Sequence, residues 1–170
     1  MSETFKAEEK NITNIFGEKL SYRIPSYQRP YSWGKDQVEK FCEDLTESYL
    51  NKEEYLLSSI ILLEKTRNRL YEVIDGQQRL TTISIFLAVL KSFLKDEANI
   101  EDINKRILNG ADSCRVQRVK TDRTYHHDFN EILQKFDYDN VKELLNCEDI
   151  DGGLVGGASL KAQTYKALFD

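Results

Sequence analysis

Only two prolines, three cysteines and two histidines occur in 170 residues, and each scarcity removes a class of explanation. Cys42, Cys114 and Cys147 are odd in number, far apart and without a Cys-x-x-Cys spacing. They argue against a disulfide framework or a zinc ribbon and read as reduced, structural thiols. His126 and His127 are adjacent, so they cannot both face one way on a helix, and no matching ligand spacing surrounds them. That argues against a zinc site, and nothing nearby supports either as a catalytic base. No apolar run approaches the length of a membrane span. The start, Met-Ser-Glu-Thr-Phe-Lys-Ala-Glu-Glu, has neither an apolar signal region nor a basic leader, so a cytoplasmic protein without a membrane partner is expected. Positive charge is also short. A net charge of -5 argues against a surface that binds nucleic acid everywhere and leaves only local patches, Lys65, Arg67 and Arg69, then Arg115, Arg118, Lys120 and Arg123. Short charged runs are commonly solvated turns or helix faces, so these are weak pointers to DNA.

What is present is an ordinary globular composition, long enough for one domain or for an α/β core with a helical appendage. Leu20 to Ile24 alternates apolar and polar residues as a half-buried strand does. Lys35 to Leu50 reads as an amphipathic helix with Val38, Phe41, Cys42, Leu45 and Tyr49 on one face, and Asp44 lies close enough to that face to reach a partner arginine. Tyr55 to Leu63 reads as a buried strand returned by the loop Glu64 to Arg69 into a second strand, Leu70 to Ile74. From Leu80 the apolar positions Leu80, Ile83, Phe86, Leu87, Leu90 and Leu94 repeat at three and four residues, as one face of a helix does.

After residue 95 the character changes to charged helical segments, Ile100 to Leu108, Tyr125 to Phe136 and Val141 to Leu145, with no convincing strand among them. The expected organisation is therefore a core over residues 1–95 and a helical extension over 96–170. Gly152-Gly153-Leu154-Val155-Gly156-Gly157 lacks the Gly-Lys-Ser/Thr ending of a phosphate-binding loop and reads as a flexible loop before a final helix, Ser159 to Phe169. That helix carries no stop signal, so the chain is expected to be truncated or to be the first domain of something longer.

Two stretches carry the chemistry. Ile24-Pro25-Ser26-Tyr27-Gln28-Arg29-Pro30-Tyr31-Ser32-Trp33 holds both prolines and the only tryptophan. Proline fixes its own φ and extends the residue before it, so the segment should be a stiff loop presenting Tyr27, Gln28, Arg29 and Tyr31. The aromatics could equally plug the core. Asp75-Gly76-Gln77-Gln78-Arg79 lies where the second strand turns into the helix. Unpaired N–H groups and the positive end of the helix dipole favour an anion there, Gly76 would let a ligand approach the backbone, and Arg79 offers a planar fork for phosphate. The same spacing fits a capping box with Asp75 as N-cap and Gln78 as its partner.

Taken together, Ile24-Pro25-x-Tyr27-Gln28-Arg29-x-Tyr31-x-Trp33 and Val73-Ile74-Asp75-Gly76-Gln77-Gln78-Arg79-Leu80-Thr81-Thr82 resemble the N-terminal domain of the GmrSD type IV restriction enzymes, whose hallmark is the Asp-Gly-Gln-Gln-Arg box. The resemblance is fullest over residues 12 to 95. It implies a ParB/sulfiredoxin-like mixed-sheet α/β (α+β) fold, nucleotide phosphates bound at residues 75 to 79, and a part in bacterial or archaeal defence. NTP binding or hydrolysis in such systems licenses cleavage of modified foreign DNA. The implied cofactor is a nucleoside triphosphate, with Mg2+ as a candidate companion because phosphoryl transfer generally uses one. The implied partners are DNA, through the full-length protein, and a C-terminal nuclease domain or subunit. No His-Asn-His arrangement is visible in this chain, so nuclease activity is not expected from it.

On that reading Arg79 and Arg29 neutralise phosphate, Gln77 and Gln78 hold phosphate oxygens, Gly76 gives backbone access and Asp75 positions water or a cation. Thr81, Tyr27, Gln28 and Tyr31 complete the pocket. Family members carry a glycine before the serine where this chain has Ser58-Ser59. If that glycine makes room for the ligand, Ser58 would narrow the pocket. The rival reading is a non-enzymatic DNA-recognition module using the Tyr-Gln-Arg loop and Arg115, Arg118, Lys120 and Arg123; a third is a purely structural partner domain.

Overall fold

Tyr22 and Ile24 are buried and Arg23 between them is exposed, the alternation that places one face of a strand on a core. The computed structural model that surrounds them describes residues 7–17, 20–29, 31–66, 69–109 and 114–118. Expectations for Cys147, the two histidines, Lys120, Arg123, the side chain of Arg118, the later helices and the glycine loop lie outside the described residues.

The elements run α1 (Ile12–Ile15), β1 (Ser21–Ile24), α2 (Lys35–Asn51), β2 (Ile61–Thr66), β3 (Leu70–Asp75), α3 (Gln77–Phe93), α4 (Glu97–Ile107) and β4 (Val116–Arg118). The strands form one mixed sheet in the order β2-β3-β1-β4. Strand β1 is parallel to both neighbours, with Tyr22 opposite Tyr71 of β3 and Val116 of β4, and β2 is antiparallel to β3. This is the expected α/β class. Because β1 and β3 run the same way, the loop leaving Ile24 and the turn leaving Asp75 emerge side by side. Open α/β sheets bind ligands in the crevice beyond the carboxyl ends of their parallel strands.

The central helix is α3, with Leu80, Ile83, Ile85, Ala88 and Val89 buried and Phe86, Leu87, Leu90 and Leu94 packed around them. Of the predicted stripe only Leu80 and Ile83 are fully buried, while Phe86, Leu87, Leu90 and Leu94 are half-buried. Burial extends to Ile85, Ala88 and Val89 off that stripe, and the helix begins at Gln77, before the stripe does. The Phe41 ring of α2 lies 6.4 Å from Phe86, 6.2 Å from Trp33 and 6.2 Å from Tyr55. This aromatic cluster ties the proline loop to two helices. Among the described residues no helix is long and apolar enough to cross a membrane.

Several expectations are corrected. Residues 55–60 do not pair as a strand. β2 starts only at Ile61, and it is an edge strand with Ile61 42% exposed, not a buried one. Ser58 takes φ 72°, which breaks an extended run. Tyr49 is exposed and does not share the buried face of α2. Asp44 pairs at 2.7 Å with Lys40 one turn earlier, not with an arginine. A strand does follow residue 95: β4 is only three residues long, too short for periodicity to reveal, and it completes the same sheet.

Arg115 overturns its expected place on a DNA surface. It is 2% exposed, and its guanidinium donates to the carbonyls of Leu20, Lys105, Arg106 and Leu108. A cation set against the carbonyls at the end of α4 complements that helix's dipole and satisfies acceptors that the helix leaves over. Cys42 and Cys114 are buried thiols. Burial pushes the Cys114 thiol up to about 11.

Candidate functional site

At the turn out of β3, Gly76 has φ 91° and serves as N-cap of α3 without any side-chain cap. Asp75 is exposed and is not the cap, so the Asp75/Gln78 capping box does not form. Glycine is needed here for two reasons. The left-handed backbone disfavours a side chain, and a Cβ would sit 3.0 Å from Ile60 Cγ1 and 3.2 Å from Ile60 Cα. Ile60, not a ligand, therefore occupies the space that the missing side chain leaves.

Gln77 and Gln78, expected to hold phosphate oxygens, are both buried. The Gln77 amide nitrogen donates to Gln28 Oε1 at 3.3 Å and to the Arg29 carbonyl at 3.0 Å. Gln78 Oε1 accepts from the Ser32 N–H at 2.9 Å. From the loop side, Gln28 Nε2 donates to the Ile74 carbonyl at 2.8 Å. Tyr31 and Thr82 share a 2.8 Å hydrogen bond, and Thr82 donates onward to the Gln78 carbonyl at 2.8 Å, which leaves Tyr31 as the donor. Burial pushes the Tyr31 phenol above its ordinary pKa, with the Thr82 hydrogen bond opposing part of the rise, so the hydroxyl keeps its proton. Thr81, the predicted pocket residue, is buried; its neighbour Thr82 makes the contact.

Two cations are left to face outward. Arg29 is exposed on the loop, and the half-buried Arg79 donates one hydrogen bond, at 3.1 Å, to the Ser59 carbonyl. Tyr27 is 70% exposed beside Arg29. The two motifs thus meet, as the resemblance implied, but divide the work. The glutamines and Tyr31 join loop to helix, while Arg29, Arg79, Tyr27 and Asp75 remain accessible around the start of α3. That arrangement can receive an anion: no side chain caps the first turn, and the helix dipole and guanidinium groups have the same sign.

Sequence reasoning missed Ser32, Ser59, Ile60 and Thr82. Thr82 had a signal, since it lies one turn beyond Gln78. Ser32 and Ser59 act through backbone atoms, which no side-chain pattern reveals. Ser58 is exposed with a positive φ, so a glycine in that position would relieve the backbone without enlarging any enclosed space. Among the described residues no three His, Cys, Asp or Glu side chains gather as a metal site. A divalent ion would therefore have Asp75 of the box as a single carboxylate and take its other ligands from phosphate and water, which is a usual magnesium arrangement.

Comparison with known proteins gives two results. Short segments match triosephosphate isomerases. The enzyme of Ruthia magnifica subsp. Calyptogena magnifica is 77% identical over 26 residues, 15% of this chain and 10% of that protein. That of Magnetococcus marinus is 59% identical over 32 residues, 19% and 12%. That of Streptococcus equi subsp. zooepidemicus is 56% identical over 32 residues, 19% and 13%. The chain thus spans only about a tenth of the length of these curated relatives. A segment that short cannot bury a core of its own and carries neither fold nor activity. The second match takes in both motifs and all four strands of the sheet. Residues 12–163 match the family described as GmrSD restriction endonuclease, N-terminal domain, and the chain belongs to that family.

Proposed function

We propose that this domain binds a nucleoside triphosphate at the start of α3 and hydrolyses it, as the regulatory part of a modification-dependent restriction or anti-phage defence protein. One observation carries the reading: Arg79 and the loop bearing Arg29 converge on a helix N-terminus that no side chain caps. Hydrolysis needs little covalent help from the protein and much electrostatic stabilisation. Water attacks the terminal phosphorus as the bond to the bridging oxygen breaks, and negative charge gathers on the leaving oxygen. Arg29, Arg79 and the first N–H groups of α3 oppose that charge. Asp75, exposed beside them, orients the water and accepts its proton. Magnesium would supply neutralisation of the phosphate oxygens; where Asp75 holds the ion it does not also take the water's proton, which then goes to a phosphate oxygen. DNA and a nuclease domain or partner subunit would belong to the full-length protein.

The DNA-recognition reading loses Arg115, whose guanidinium is enclosed by carbonyls. The test is nucleotide binding and phosphate release by this chain and by Arg79→Ala. Binding and turnover that fall at least about tenfold in the variant support the reading. Undetectable signals from both sink it, and salt-dependent DNA binding without turnover would favour the rival.

A further inference from the structure

We infer that Gln77 is a positioning residue that sets the Arg29 guanidinium over the α3 N-terminus, and is not itself a phosphate ligand. The inference deepens the nucleotide reading and rests on it. A primary amide has two N–H donors on one nitrogen and a third partner site on its oxygen. Both Gln77 donors have partners, Gln28 Oε1 at 3.3 Å and the Arg29 carbonyl at 3.0 Å, and the residue is only 6% exposed. Turning that amide toward a phosphate would leave two loop acceptors without it and require the buried side chain to leave its place.

The Arg29 contact is to the backbone carbonyl, so it anchors the root of the side chain while the guanidinium stays exposed. The loop is fastened on either side of that point as well, by Gln28 to the Ile74 carbonyl, by Gln78 to the Ser32 N–H and by Tyr31 to Thr82. Those bonds hold the ends of the segment. Arg29 itself accepts from the Gln77 amide. Neither glutamate, which lacks the donors, nor asparagine, which is one methylene shorter, can serve both acceptors from the same position.

The test is a double-mutant cycle on nucleotide affinity, measured with a non-hydrolysable nucleoside triphosphate on the full chain. It uses Gln77→Met, which keeps the buried volume and removes the donors, Arg29→Ala at the exposed loop, and the pair. Residues that act through one another are non-additive, whereas independent ligands add. Gln77→Met is expected to weaken binding about tenfold alone and less than about twofold when Arg29 is already alanine. Trp33, the only tryptophan, ends the same loop and gives a second readout. Acrylamide should quench its fluorescence more readily in Gln77→Met than in the unaltered chain. An additive cycle overturns the inference, as does unchanged quenching. If the unaltered chain binds no nucleotide, the nucleotide reading falls and with it the role assigned to Gln77. Quenching then still decides whether Gln77 holds the loop.

Discussion

At the carboxyl end of β3 and at the start of β4, an arginine is set against backbone carbonyls, with opposite results. Arg115 donates to four carbonyls, those of Leu20, Lys105, Arg106 and Leu108, and is buried. Arg79 donates to one, that of Ser59, and is only half-buried. A guanidinium has five N–H donors, so the first group is largely committed to holding β1, α4 and β4 together while the second retains donors for a ligand. Residue type is the same in the two places. The difference lies in how many backbone acceptors each fold element leaves over.

The comparison can be broken most forcefully at Arg115. Replacement by alanine deprives four carbonyls of their donor and is expected to destabilise the domain by about 4 kcal/mol. The measurement is the denaturant midpoint, and a loss below about 1 kcal/mol would mean that the group is not structural. Gly76→Ala comes next, at about 2 to 3 kcal/mol, from its left-handed backbone and the Ile60 contact at 3.0 Å. A melt of Gly76→Ala with Ile60→Ala should recover the steric part and leave the backbone part.

Arg79→Ala should cost no more than about 1 kcal/mol of stability, because one partly exposed hydrogen bond is lost. It should still weaken nucleotide binding about tenfold or more by titration calorimetry. Stability and binding losses of the same rank at both arginines would erase the distinction between the two regions.

A weaker effect follows from the Cys114 thiol, pushed by burial up to about 11 from an ordinary 9.0. Its folded-state pKa is raised, so its contribution is fully present below the unfolded value and is lost as pH rises from about 9 toward 11. Replacing Cys114 by alanine should flatten that part of the stability profile. Smallest of all, Tyr27→Ala should leave stability within about 0.5 kcal/mol, since the ring is 70% exposed. Any change in nucleotide affinity would then report direct contact with the ligand.

Much of the frame was legible in the chain. Alternation located β1, β-branched and aromatic residues located β3, and the three-and-four repeat located α3. The meeting of the proline loop with the Asp75 to Arg79 box was implied by the family resemblance, which takes the two stretches together. Roles within the site were harder to read. Gln77, Gln78 and Tyr31 carry hydrogen-bonding groups as Arg29 does, and nothing in their spacing says that they face the proline loop or the helix start instead of a ligand. Residues 55–60 were mistaken for a strand because an apolar run does not disclose the positive φ of Ser58. β4 escaped notice because three residues contain too little period to detect.

By itself, then, the sequence determined the strand-turn-helix around Gly76, since periodicity and turn chemistry act over a few neighbouring residues. Tertiary structure alone decided which polar groups serve the fold and which face outward. The parallel pairing of β1 with β3 brings Gln28 to Ile74 and Ser32 to Gln78, each across 46 residues. A hydrogen bond over that separation depends on where two strands end in space, and local propensity carries no information about that.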